Sequence, residues 1–262
     1  MKRVGLALGG GGAKGTAHLA FLKKLDDMKI VPSVISGTSI GSLIGALYCA
    51  GQKADELLDF LTKLDEKTST GKKRSLLVKL TATTPVRRAE WMKRFIESIL
   101  PVKTFEELEI PLKICAVDFY SLEEKMFTSG SLIDAIMASM ALPGGVYPYR
   151  IGDDYYIDGG AGNVVPFDCI RDECDVLVGI DVSSIFPISK RKKPNMRNAR
   201  LAFVTACRKQ SLELKLKETK VDLFYKIKFD NIGTLDFFKY KKVFETAKDF
   251  ADKFEEDLIN IL

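Results

Sequence analysis

Histidine is nearly missing from this sequence of 262 residues: His18 stands alone. A serine hydrolase triad of the α/β-hydrolase kind runs serine, acid, histidine along the chain. Any nucleophile beyond residue 18 therefore takes its base from another residue type, unless His18 serves out of order. Cysteine is scarce as well. Cys49, Cys115, Cys169, Cys174 and Cys207 are odd in number, dispersed and without a CxxC pair, which argues against a disulfide framework and against a zinc site. Reduced thiols in a cytoplasm account for them.

Long apolar runs are absent too. The longest, Ile40–Ala50, falls short of the roughly 18 residues of a membrane span. Val4–Leu8, behind two basic residues, is shorter than the about 7–15 residues of a signal-peptide core. Nor does one sign of charge dominate: 40 basic against 35 acidic residues leave a net +5, with no interleaving of basic and aromatic residues to grip nucleic acid. The expectation is a soluble cytoplasmic protein with no nucleic-acid partner and no transmembrane segment. Its mild positive excess suits at most transient, peripheral contact with an anionic membrane surface.

What is present reads as strand, loop and helix in alternation. Lys2–Leu8 is an apolar strand, followed by four glycines, Gly9–Gly12, and a helix over Gly15–Met28 with Ala17, Ala20, Phe21, Lys24 and Leu25 at helical spacing. A second strand, Val34–Ser36, runs into Gly37-Thr38-Ser39-Ile40-Gly41 and an apolar helix that stops near Gly51, a residue suited to a helix C′ position. Two such units in succession predict a parallel α/β sheet. Helices are predicted at Ala54–Asp65, Arg87–Leu100 and Ser131–Ser139, and strands at Leu112–Phe119, Lys125–Ser129, Tyr155–Ile157 and Val176–Val182. Past a stretch rich in Lys, Arg and Pro, Ile188–Asn195, the pattern predicts a helix over Met196–Lys217, an alternating strand over Val221–Phe229 and a helix over Tyr240–Ile261 with an apolar core face.

Ser39 sits in a G-x-S-x-G elbow. Flanking glycines relieve crowding around a sharp strand-to-helix turn, and the hydroxyl projects at a helix N-terminus, where amides and dipole favour negative charge. A serine hydroxyl is a weak nucleophile and needs a partner that takes its proton. His18, three residues past Gly15, reads as a helix histidine. Ser–Lys pairs at Ser69–Lys72 and Ser189–Lys192 fall in polar basic stretches. Lys14 can approach Ser39 through space, but it sits in a loop with no evident desolvation to strip its proton. Asp158 closes a short aromatic strand before Gly159-Gly160; on spacing alone it is either a reachable carboxylate or a plain Asp-Gly-Gly turn.

The other motif, Gly10-Gly11-Gly12-Ala13-Lys14-Gly15, fits the G-x-G-x-x-G dinucleotide fingerprint. That reading wants an acid for the ribose at the end of the second strand, and Ser36-Gly37-Thr38-Ser39 stands there instead. It is no P-loop either, because Gly15 follows Lys14 where Ser or Thr is required. Four glycines before a helix can instead direct amides at an oxyanion, and loops after successive strands can lie side by side.

Taken together, GGGGAKG, GTSIG and DGG, in this order, resemble the three signature blocks of the patatin-like phospholipase family over roughly Lys2–Ser184, and Ala138–Pro143 is similar too. The resemblance implies a three-layer α/β/α sandwich with a mixed, mainly parallel central sheet, plus a C-terminal helix–strand–helix extension. It implies a dyad without histidine: Ser39 as nucleophile, Asp158 as general base and the amides of Gly10, Gly11 and Gly12 as oxyanion hole. Lys14, Gly15, Gly37, Gly41, Gly159 and Gly160 support these blocks, and neither metal nor cofactor is implied. The chain would divide into a catalytic core, 1–185, and a basic linker with helix–strand–helix packed on it, 186–262. The expected activity is hydrolysis of fatty acyl esters, phospholipids included. Leu76, Leu77, Val78, Leu80, Met137, Met140 and Val146 are residues for an acyl groove or for the core; Lys72, Lys73, Arg74 and Lys190–Lys193 are head-group contacts or solvated loops. A dinucleotide-binding oxidoreductase and a catalytically idle lipid-binding protein stay open as other classes.

Overall fold

The computed structural model describes residues 2–69, 84–183, 193 and 195–262. Strand β1 (Val4–Leu8) is buried throughout, as a strand covered on both faces must be. Its alternation sorts side chains into two layers: Val4, Leu6 and Leu8 join one core, Ala7 the other. The chain passes through a 3-10 turn, Gly12–Ala17, into α1 (His18–Met28). Then β2 (Val34–Thr38) feeds α2 (Ile40–Cys49), which ends as expected on Gly51 at φ +90°, its N–H donating to Tyr48 O. Helices α3 (Ala54–Ser69) and α4 (Pro85–Ile99) follow, the latter capped by Thr84 with proline in its first turn.

Strand β3 (Leu112–Asp118) pairs antiparallel with β4 (Glu124–Phe127); α5 (Leu132–Ser139) leads to a hairpin of β5 (Tyr149–Ile151) and β6 (Asp154–Asp158). After β7 (Val176–Asp181) come α6 (Met196–Glu218), β8 (Leu223–Lys226) and α7 (Tyr240–Ile261). The sheet runs β5-β6-β3-β2-β1-β7-β8, with β4 beside β3. Strands β3, β2, β1, β7 and β8 are mutually parallel and β4, β5 and β6 antiparallel, so the sheet is mixed and mainly parallel. One face packs against α1, α2, α3, α5 and α7 through residues such as Phe21, Ile44, Leu57, Ile136 and Phe254. The other face carries the 3-10 turn Asp168–Glu173 and α6, through Ile170 and Leu212.

Two local readings differ from the pattern. The short strand β5 was not anticipated; it exists because Gly152, at φ +62°, closes a tight hairpin. Pairing of the Val221–Phe229 stretch with β7 is confined to Leu223–Lys226, although Tyr225, Ile227 and Phe229 stay buried. Helix α6 forms where the pattern predicts it: Leu212 is buried while Leu214 is exposed, so one leucine faces the sheet and the next faces water. Among the described residues no helix is long and apolar enough to cross a membrane. Leu76, Leu77, Val78, Leu80, Lys72, Lys73, Arg74, Ser189 and Lys190–Lys192 lie outside the described residues.

Candidate active site

Leu8 of β1 stands opposite Gly37 of β2, so the glycine loop and the serine elbow leave the sheet side by side at its carboxyl edge. Ser39 has φ 55° and ψ −122°, a conformation that a residue with a side chain holds only when its surroundings enforce it. The enforcement is steric and polar. A Cβ on Gly41 would overlap the Leu8 carbonyl, one on Gly37 would press on the backbone of Gly41, and one on Gly15 would strike the Ile40 side chain. Ser39 N–H donates to Ser139 Oγ at 2.8 Å, and Ser42 Oγ donates to Ser39 O at 2.6 Å.

Asp158 arrives from the other side of β3. It pairs with Ala116, and Thr38 pairs with Cys115, which brings the ends of β6 and β2 to the same level. A Cβ on Gly159 would overlap Cys115 O, so this glycine permits the approach. Ser39 Oγ donates to Asp158 Oδ2 at 2.7 Å, and Gly160 N–H donates to Oδ1 at 2.8 Å. Asp158 is 3% exposed. Burial pushes its carboxyl above the usual range, opposed by the Arg208 guanidinium, the Ser39 hydroxyl and the Gly160 amide.

The glycine loop is roofed by the chain itself. Ala13 N–H donates to Thr234 O at 2.8 Å, a Cβ on Gly12 (φ +60°) would overlap that same oxygen, and one on Gly11 would lie 2.7 Å from Val182 O. The bare sides of these glycines face protein rather than open space for a pyrophosphate, which disfavours the dinucleotide reading. Gly10 N–H donates to Val164 O at 2.9 Å, so its amide is engaged and differs from the expectation for an oxyanion donor. The Gly11 and Gly12 N–H groups have no acceptor among the described residues.

Lys14 corrects a second expectation. It is 4% exposed, and burial lowers its pKa while the charge of Asp181 raises it. The loop desolvates this lysine after all, but the carboxylate whose field acts on it is Asp181, whereas the Ser39 hydroxyl is bonded to Asp158. His18 is fully buried, and burial lowers its pKa to about 4. The neutral ring donates Nε2–H to Gly9 O at 2.8 Å, which leaves His18 supporting the loop. Met137 and Val146 are buried and Met140 half-buried, consistent with core packing.

Two residues of this neighbourhood escaped the sequence reading. Ser139 fell within the Ala138–Pro143 stretch but looked like a helix-end serine. Arg208 lies on α6, its Nη2 4.0 Å from Asp158 Oδ1, and no motif marks it.

A family model described as patatin-like phospholipase matches residues 6–169. An uncharacterized NTE family protein of Mycobacterium tuberculosis is 31% identical over 164 residues, 63% of this chain and 44% of that protein. A Yarrowia lipolytica protein named Lysophospholipase NTE1 is 26% identical over 281 residues, 97% of this chain and 19% of that protein. The crystal structure of VipD from Legionella pneumophila has the same fold, with a TM-score of 0.52 at 14% identity over 97% of this chain and 66% of that one. The chain thus spans less than half the length of these two curated relatives.

Proposed function

The chain belongs to the patatin-like phospholipase family, and from that premise we propose that it is a serine lipid acyl hydrolase working through Ser39 and Asp158. The observation that carries this reading is the 2.7 Å hydrogen bond from a strained elbow serine to a buried carboxylate. Asp158 takes the Ser39 proton as Oγ attacks the ester carbonyl. The Gly11 and Gly12 amides receive the tetrahedral oxyanion, each donor worth about 3–4 kcal/mol, or roughly 10²–10³ in rate. The alcohol leaves with the proton from Asp158. Water, deprotonated by Asp158, then attacks the acyl-enzyme, releasing the fatty acid and restoring the Ser39 hydroxyl. The name of the Yarrowia relative supports a single-chain phospholipid as substrate class. Turnover at a lipid surface in the cytoplasm, by peripheral contact, belongs to the same proposal.

The test combines labelling with turnover. A fluorophosphonate probe adds one label, on Ser39, and Ser39→Ala and Asp158→Asn each lower hydrolysis of a p-nitrophenyl acyl ester by about 10³ or more with an unchanged circular dichroism spectrum. Full activity in either variant, or a label elsewhere, sinks the reading. Absence of any ester turnover in the unaltered protein favours the idle lipid binder.

A further inference from the structure

We infer that Arg208 is a positioning residue of this site, its guanidinium holding the Asp158 carboxylate ionised and turned toward Ser39; the inference rests on the Ser39–Asp158 reading above. The geometry divides the two carboxylate oxygens. Oδ2 takes the Ser39 hydroxyl at 2.7 Å, while Oδ1 faces the Gly160 amide at 2.8 Å and Arg208 Nη2 at 4.0 Å. The cation is too far for a hydrogen bond and close enough for its charge to act through a protein interior. A general base must be ionised before it can accept a proton, and burial of Asp158 opposes that.

The surroundings deliver the guanidinium to this spot. The second glycine of the Asp-Gly-Gly motif leaves the space: a Cβ on Gly160 would lie 3.2 Å from Arg208 Nη2 and 3.3 Å from its Cζ. The half of α6 beyond Arg208 is fastened to the segment that follows Asp158. Ser211 Oγ donates to Gly162 O at 3.0 Å, and Lys215 Nζ lies 2.6 Å from Asp168 Oδ2 and 3.1 Å from Glu124 Oε1. Asn163 Nδ2 donates to the same two carboxylates. Arg208 Nε is buried with no hydrogen-bond partner among the described residues, a cost that a purely structural arginine would relieve by turning to an acceptor. The groups that face Asp158 are the Ser39 hydroxyl from the elbow, the Gly160 amide from its own turn and Arg208 from α6.

The experiment follows kcat/KM against pH for two substrates, p-nitrophenyl butyrate, an ester without phosphate, and lysophosphatidylcholine, in the full chain, Arg208→Gln, Arg208→Lys and Ser39→Ala. Activity rises with pH as Asp158 ionises, and removing the cation moves that rise to higher pH. Arg208→Gln is expected to lose roughly tenfold or more on the acid limb and less than about threefold on the alkaline plateau, with Arg208→Lys restoring most of the limb. Arg208→Met, which keeps the aliphatic stem, replaces Arg208→Gln if the latter does not fold. An acid limb that stays in place, an equal loss at every pH, or a loss confined to lysophosphatidylcholine with the neutral ester unaffected each overturns the inference; the last would make Arg208 a head-group contact. Ser39→Ala separates the two failures. If it retains turnover, the dyad reading falls and takes this inference with it; if it is inactive while Arg208→Gln keeps the limb, only the role of Arg208 falls.

Discussion

Ser139 Oγ accepts the backbone N–H of Ser39 at 2.8 Å. The same hydroxyl donates to the Cys115 carbonyl at 2.6 Å, so one oxygen ties the elbow before α2 to the end of α5 and to β3. The bond engages the Ser39 amide and helps to hold the positive φ of this residue.

Replacing Ser139 with alanine strands two polar groups at a buried position. Ser139→Ala is expected to lower stability by about 2–3 kcal/mol, read by urea denaturation. Ester turnover should fall by roughly 10–100-fold as the Ser39 backbone relaxes, a loss larger in kcat than in KM. An unchanged kcat would show that the elbow holds its shape without this bond.

Glycines in this chain differ sharply in what they tolerate. A Cβ on Gly41 would overlap backbone, whereas Gly130, at φ +79°, has nothing within 4 Å of the position a Cβ would take. Gly41→Ala is expected to lower the melting temperature by more than about 10 °C or to abolish the cooperative transition. Gly130→Ala carries only the left-handed penalty, about 1–2 kcal/mol. Equal melting temperatures for the two variants would contradict the close approach of the elbow to β1.

His18 makes stability depend on pH. Its folded pKa of about 4 lies below the unfolded value of 6.5, so the unfolded chain binds more protons between them. Stability is therefore whole above about pH 6.5 and is lost as pH falls toward 4, by about 3 kcal/mol at the foot of that window. His18→Gln, whose amide can still donate to Gly9 O, should flatten this part of the melting-temperature profile and keep ester turnover. Parallel profiles for the two proteins would remove His18 as the cause.

Thiol chemistry offers a check on burial. Cys207 is exposed, Cys169 is half-buried, and Cys49, Cys115 and Cys174 are buried. Burial pushes the Cys49 and Cys115 thiols up, and pushes Cys169 up to about 12. One fast thiol is expected with an aromatic disulfide reagent at neutral pH, removed by Cys207→Ser, and all five react once guanidinium unfolds the chain. Several fast thiols in the native protein would show that the core opens.

Much of this protein is decided locally, and those parts were legible in the chain. Alternating apolar strands, helical stripes and glycines beside Ser39 state backbone demands that neighbouring residues meet by themselves, and a single histidine turns attention to a carboxylate. Spacing alone, however, left Asp158 as either base or turn. Its place beside Ser39 required β3 to lie between β2 and β6. The burial of Lys14 is a tertiary outcome, as is the packing of Thr234 and Val182 over the glycine loop; the engaged amide of Gly10 required Val164, and the cation near Asp158 came from α6. Contacts between segments far apart in the chain carry no period and no fixed spacing. Only packing brings them together, and packing is what sets desolvation, hydrogen-bond availability and charge around the reactive atoms.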